Sequence, residues 1–152
     1  AELRVRLAEQ LFSLSEFQEV LGLCEKAVLL IRPSEWPRTV AEALWLQGSA
    51  HTRMGSFAAA EVSLKESLAL FRSVGDEVGS TMALNALGIA HSNQGNYVEA
   101  RLFYEEFLAI ARATGYTRGI ANALNNLGSN YARAGDMGPA LAYYRESHQL
   151  SL

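Results

Sequence analysis

Glycines at positions 48, 88 and 128 stand forty residues apart, and each is followed seven residues later by a second glycine, Gly55, Gly95 or Gly135. Two residues after the second glycine comes Phe57, Tyr97 or Met137. Three further on comes Ala60, Ala100 or Ala140, and four beyond that Leu64, Tyr104 or Tyr144. Stepping back forty from the first set reaches Ala8, Ser15, Phe17, Val20 and Cys24, a degenerate copy in the same register. A period of this length describes one supersecondary unit stacked on copies of itself, each burying a face that it cannot bury alone. Four units, at about 1–36, 37–76, 77–116 and 117–152, take in the whole sequence as one domain.

Within a unit the apolar spacing is helical. Leu84, Leu87, Gly88 and His91 recur at i, i+3, i+4 and i+7, and Tyr97, Ala100, Tyr104, Phe107, Leu108 and Ala111 form a second such face. Between them lies "QGN" (94–96), where Gly95 is placed to end one helix and Asn96 to cap the next, as Ser56 and Asp136 would in their units. Further stops are expected at Gly75 and Gly115 and at the pair Pro33 and Pro37. Each unit is therefore a helix pair, and no alternating stretch predicts a strand. A glycine in mid-helix costs about 1 kcal/mol against alanine, so Gly48, Gly88 and Gly128 imply close packing of the paired helices, with Ala60, Ala100 and Ala140 as small partners.

Composition excludes several function classes. The net charge is −3 and no Lys/Arg run occurs, so the electrostatic footprint of a nucleic-acid binder is missing. The longest apolar stretch, "AVLLI" (27–31), is too short to span a bilayer, and the N-terminus lacks the apolar core of a secretory signal. A lone cysteine, Cys24, excludes an internal disulfide and fits the reducing cytoplasm. The sequence opens without Met and stops at "HQLSL", so it is expected to be a piece of a longer protein.

The pattern L-x2-L-G-x2-H/Y, G-x-Y, A-x3-Y, as in "LNALGIAHSNQGNYVEARLFY" (84–104), resembles the tetratricopeptide repeat. The usual tryptophan position is leucine here (Leu44, Leu84, Leu124), the late proline is absent, and the unit has forty residues where the common repeat has about 34. The forty-residue form with "ALNNLG" and "GD" at its joints is similar to repeats in bacterial LuxR-type regulators that carry an ATP-binding module. Similar long repeats occur in eukaryotic scaffolds that hold G-protein α subunits. The resemblance implies an all-α fold, a right-handed α-solenoid of about four helix-turn-helix units and eight helices, in which the first helix of each pair lines a concave groove.

By that register the groove residues are Glu42, Trp45, Ser49, Thr52 and Arg53 in the second unit and Met82, Asn85, Ile89, Ser92 and Asn93 in the third. In the fourth they are Asn122, Asn125, Asn126, Ser129 and Arg133. Asparagines are poor helix formers. Their amides both donate and accept, which suits an extended peptide backbone or a row of sugar hydroxyls; the alternative is that they are simply solvated. Trp45 is either a contact residue or local core beside Trp36, and Arg53 and Arg133 either hold a carboxylate or end their helices in solvent. Co-chaperone repeat domains clamp a C-terminal carboxylate with Lys, Arg and Asn at positions that here hold Trp45, Ser49, Ala86, Asn122 and Asn126. The cations are missing, so that ligand is not expected.

Chemistry-bearing residues fall into packing positions. His51 and His91 share the register of Tyr131, and Cys24 that of Leu64, Tyr104 and Tyr144. Glu105 and Glu106 lie near Arg101 and Arg112, where i,i+4 pairing explains them. No zinc-ligand spacing, phosphate loop or nucleophile with an orienting base is present, so neither metal nor cofactor nor catalysis is expected. The sequence points to a non-catalytic protein- or peptide-binding module. The alternative is the sensor segment of a transcription regulator that takes a small inducer in its groove. The last helix (138–152) is expected to expose Ala140 and Tyr144 and to promote self-association.

Overall fold

In the computed structural model the described residues, 2–13, 16–30 and 35–150, form eight α-helices and no strand. These are α1 (Glu2–Ser13), α2 (Phe17–Leu30), α3 (Pro37–Arg53), α4 (Phe57–Ser73), α5 (Glu77–Asn93), α6 (Tyr97–Ala113), α7 (Thr117–Arg133) and α8 (Met137–Gln149). Each helix from α3 to α7 has 17 residues.

One device ends five successive helices. Gly95 has φ 84°, a left-handed conformation that a residue with a Cβ adopts only with strain. Its N–H donates to the Ser92 carbonyl at 3.1 Å while the Asn96 N–H donates to the His91 carbonyl at 2.9 Å. Two carbonyls of the last turn are thereby satisfied where the helix can no longer serve them. Gly55, Gly75, Gly115 and Gly135 repeat the positive φ and the same pair of bonds. The stop signal therefore recurs every twenty residues, once per helix, within the forty-residue unit.

The helix starts differ from expectation. Ser56, Asn96 and Asp136 occupy the cap position, yet none of their side chains makes a capping bond. Their ψ angles of 62°, 65° and 77° leave the extended region from which a side-chain oxygen reaches the first-turn N–H groups. Asp76 does cap α5: its Oδ1 accepts from the Gly79 N–H at 2.9 Å. Pro37 opens α3 instead of stopping α2, because proline has no N–H to lose in the first turn. Ser15 and Pro33 lie outside the described residues.

Packing divides the chain into two compact units, residues 1–86 and 87–152, with the division falling inside α5. In the first, α1 packs on α2 and α3, α2 on α3, and α3 on α4. Its core brings Val5, Ala8, Val20, Cys24, Ala27, Ala43, Leu46 and Ala50 together, so the degenerate first copy keeps the register. In the second, α6 packs on α7 and α7 on α8. Ala100, Tyr104, Phe107, Leu108 and Ala111 are buried on α6, and Ala123, Leu124 and Leu127 on α7. Removing each large apolar side chain from water contributes roughly 1.5–3 kcal/mol. Buried serines add directional ties: Ser67 Oγ donates to the Ala41 carbonyl at 2.7 Å, and Ser147 Oγ, eighty residues on, donates to the Ala121 carbonyl at 3.3 Å.

The mid-helix glycines make room for side chains more than for backbone. A Cβ on Gly88 would stand 2.3 Å from Tyr104 Cε1, one on Gly128 2.8 Å from Tyr144 Cε1, and one on Gly48 2.5 Å from Leu64 Cγ. The residue that fills each notch is thus sixteen positions on. Ala60, Ala100 and Ala140 are fully buried, and the Ala60 backbone oxygen would lie 3.1 Å from a Cβ on Gly48. The exposure expected of Ala140 is not found, while Tyr144 is exposed as expected, beside Met137 and Leu141.

Candidate functional site

In the second unit the C-terminal end of α5, the middle of α6 and the second half of α7 enclose a cavity of about 160 Å³. Its lining is Ile89, Ser92 and Asn93 from α5, Tyr104 from α6, and Asn126, Ser129, Asn130 and Arg133 from α7. Helical spacing explains the grouping. Asn126, Ser129, Asn130 and Arg133 fall at i, i+3, i+4 and i+7 on one face, as do Ile89, Ser92 and Asn93.

The polar groups are linked. Arg133 Nη1 donates to Ser92 Oγ at 3.0 Å and to Asn93 Oδ1 at 3.4 Å, while its guanidinium lies 5.6 Å from the centre of the Tyr97 ring. Asn130 Nδ2 donates to the same Ser92 Oγ at 3.4 Å. Asn130 is only 1% exposed, and its Oδ1 has no hydrogen-bond partner. A buried acceptor left in this state costs about 1–3 kcal/mol. Arg133 carries the only charge among the lining residues. Burial pushes the Tyr104 phenol well above its ordinary value, with the positive Arg133 opposing, so Tyr104 stays neutral.

Six of the expected groove residues, Ile89, Ser92, Asn93, Asn126, Ser129 and Arg133, meet here. Tyr104 and Asn130 were not expected. Tyr104 belongs to the packing stripe. Asn130 replaces a buried alanine, since its register positions in the two preceding units are Ala50 and Ala90. An amide where the repeat otherwise has alanine is the signal that would have marked it. Asn122 and Asn125 are exposed on α7 outside this cavity.

In the first unit the expected residues have varied surroundings. Trp45 is half-buried and packs on the core of Val5, Val20, Cys24 and Leu46, with its Nε1 buried and unpartnered. Glu42 pairs with Arg38 at 3.6 Å, and Arg38 also reaches Asp76 Oδ2 at 3.0 Å. Thr52 is buried and donates to the Gly48 carbonyl at 2.9 Å. Ser49, Met82 and Asn85 are half-buried, and Arg53 is exposed.

The remaining chemistry-bearing residues serve packing. Cys24 is buried, and burial, with the negative Glu25 adding, pushes its thiol up to about 12. His91 is buried with its ring 5.2 Å from that of Phe103. Arg112 pairs with Glu146 on α8 and Arg101 stacks 4.6 Å from the Tyr131 ring centre, so both arginines reach other helices. Among the described residues no group of His, Cys, Asp and Glu could hold a metal ion, and no helix is long and apolar enough to cross a membrane.

The family model for the tetratricopeptide repeat matches residues 39–113 and 79–151. The chain belongs to the tetratricopeptide repeat family. Its all-α helix-pair solenoid class follows from this membership and from eight helices with no strand among the described residues. Tetratricopeptide domains are generally non-catalytic scaffolds for protein interaction. The crystal structure of the tetratricopeptide domain of Arabidopsis FLU is similar at 25% identity and a TM-score of 0.67, over 72% of this chain and 92% of that one. The crystal structure of BtubC (BKLC) from P. vanneervenii is similar in fold at 20% identity and a TM-score of 0.85, over 97% of this chain and 61% of that one. No curated protein matches the chain.

Proposed function

We propose that the chain is a peptide-binding tetratricopeptide module that works in the cytoplasm without catalysis, and that the α5–α7 cavity of its second unit is where the peptide engages. The observation that carries this reading is the lining itself. Seven of its eight residues bring hydroxyl, amide or guanidinium groups, against one aliphatic side chain, Ile89. Pockets for small ligands are predominantly apolar and enclose about 300–1,000 Å³. This one is polar and about 160 Å³, the scale of one side chain of a chain lying across it. The same comparison weakens the reading of a sensor segment in a transcription regulator, which would need to house a whole inducer.

Selection of linear peptides by display, followed by isothermal titration, tests the proposal. Arg133→Ala should weaken a selected peptide about tenfold or more, the scale of a lost hydrogen bond to a charged group. Arg118→Ala, at an exposed position near the start of α7, should leave affinity unchanged. Equal affinity for all three proteins would remove the cavity from the account.

A further inference from the structure

We propose that the chain assembles head to tail, with the exposed face of α8 in one copy seated in the groove between α1 and α2 of a second copy. The proposal is independent of peptide binding at the α5–α7 cavity. It starts from residues that share a register position and differ in exposure. Tyr104 on α6 is 3% exposed and its counterpart Tyr144 on α8 is 38% exposed. Leu127 on α7 is fully buried, whereas its counterpart Leu7 on α1 is 48% exposed. The same packing positions are covered within the second unit and open on α8 and α1.

The contacts of α6 show what covers them. Arg101 of α6 stacks 4.6 Å from the Tyr131 ring of α7, which itself stacks 5.6 Å from Tyr143 of α8. Arg112 of α6 pairs with Glu146 of α8. One face, formed by α7 and α8 together, therefore holds α6. The α1–α2 pair carries the same face. Moving Tyr131, Tyr143 and Glu146 back by three repeats gives Leu11, Leu23 and Lys26. These three, with Leu7, line a groove of about 310 Å³ on α1 and α2. At Gly22 in this groove an added Cβ would meet nothing within 4 Å, so the chain's own atoms leave it unfilled.

The helix that fits this groove is one that presents the face of α6. α8 is α6 moved on by one repeat, with Met137, Leu141 and Tyr144 where α6 has Tyr97, Arg101 and Tyr104. The chemistry changes on both sides together. Within the second unit a guanidinium meets two tyrosine rings; between copies Leu141 would meet Leu11 and Leu23. A leucine on one side alone would leave an arginine or a phenol facing hydrocarbon, at a cost in desolvation. Matched, the leucines leave water together. The two surfaces differ, so the contact is heterologous, and each copy brings one surface of each kind.

The experiment uses two variants of the 152-residue chain, Leu7→Glu in the groove and Leu141→Glu on α8, both at exposed positions. Sedimentation of each alone should give the single-chain mass of 16.6 kDa. Mixed, they should form a pair of twice that mass and nothing larger, because each supplies the surface that the other has lost. Leu7→Glu that associates as the unaltered chain does, or a mixture that stays at the single-chain mass, would overturn the proposal. The unaltered chain, isotope-labelled, gives a check without substitution. On dilution, amide shifts should change at residues 7–11 and 22–26 as well as at 137–144. Changes at 137–144 alone would replace the head-to-tail contact with a pairing of α8 on α8, and shifts independent of concentration would overturn it outright.

Discussion

The ring of Tyr104 occupies the space where Gly88 has no side chain: a Cβ on Gly88 would lie 2.3 Å from Tyr104 Cε1 and 2.7 Å from Tyr104 Cδ1. Tyr104 is 3% exposed and also lines the cavity, so one contact joins the packing of α6 on α5 to the shape of the candidate site.

Overpacking at this contact is the first prediction. Gly88→Ala should destabilise the chain by about 1–3 kcal/mol, and Gly88→Leu by more. Because the clash is with one ring, Gly88→Ala combined with Tyr104→Ala should destabilise by less than the two single changes together. Urea unfolding of the four proteins of the cycle measures this; strict additivity would mean the Gly88–Tyr104 contact is not what excludes the Cβ.

Asp76 should matter more than the other cap residues. Its carboxylate accepts from the Gly79 N–H and faces Arg38, so Asp76→Ala should cost about 0.5–2 kcal/mol. Asn96→Ala and Ser56→Ala remove side chains that make no capping bond and should change stability by at most about 0.5 kcal/mol. Thermal melts of the three variants decide it, and equal losses would refute the distinction.

The glycine period made the helices legible in the sequence, because only a residue free of Cβ strain takes the φ of 66–91° that ends five of them. The caps were misread because residue type was used where backbone ψ decides. Ile89, Asn93, Asn126, Ser129 and Arg133 were found because register alone puts them on the face of the first helices. Tyr104 was missed since a residue can pack and line a cavity at once. Asn130 was missed because its position belongs to the buried stripe, where a polar residue shows only against its alanine counterparts. Trp45 was left open between contact and core; the cluster it packs on draws mostly on α1 and α2, helices of the degenerate first copy, where the sequence pattern is weakest.

Alkaline pH should weaken the fold through Cys24. Its thiol is raised from 9.0 to about 12 in the folded chain. The folded state therefore holds a proton that the unfolded state releases, and the contribution is fully present below pH 9.0 and lost as pH rises towards about 12. Tyr104, also raised by burial, acts in the same direction. Denaturation midpoints should fall over this window, and at pH 8 a thiol reagent should label Cys24 slowly until the chain unfolds. Rapid labelling of the native chain would place Cys24 outside the core.

Self-association through α8 is expected. Met137, Leu141 and Tyr144 fall at i, i+4 and i+7 on this helix, with exposures of 55%, 49% and 38%, an apolar stripe that a second copy would cover. Sedimentation should show a concentration-dependent rise in mass that Leu141→Glu abolishes. A monomer at every concentration would mean the stripe is not self-adhesive.

Peptide engagement at the α5–α7 cavity is the central claim, and mapping a selected peptide onto the chain by amide chemical shifts tests it most directly. The account predicts the largest changes at residues 89–93 and 126–133, with little change in α1, α2 or the exposed stripe of α8. Changes concentrated on those other helices, with the α5–α7 residues unmoved, would contradict it.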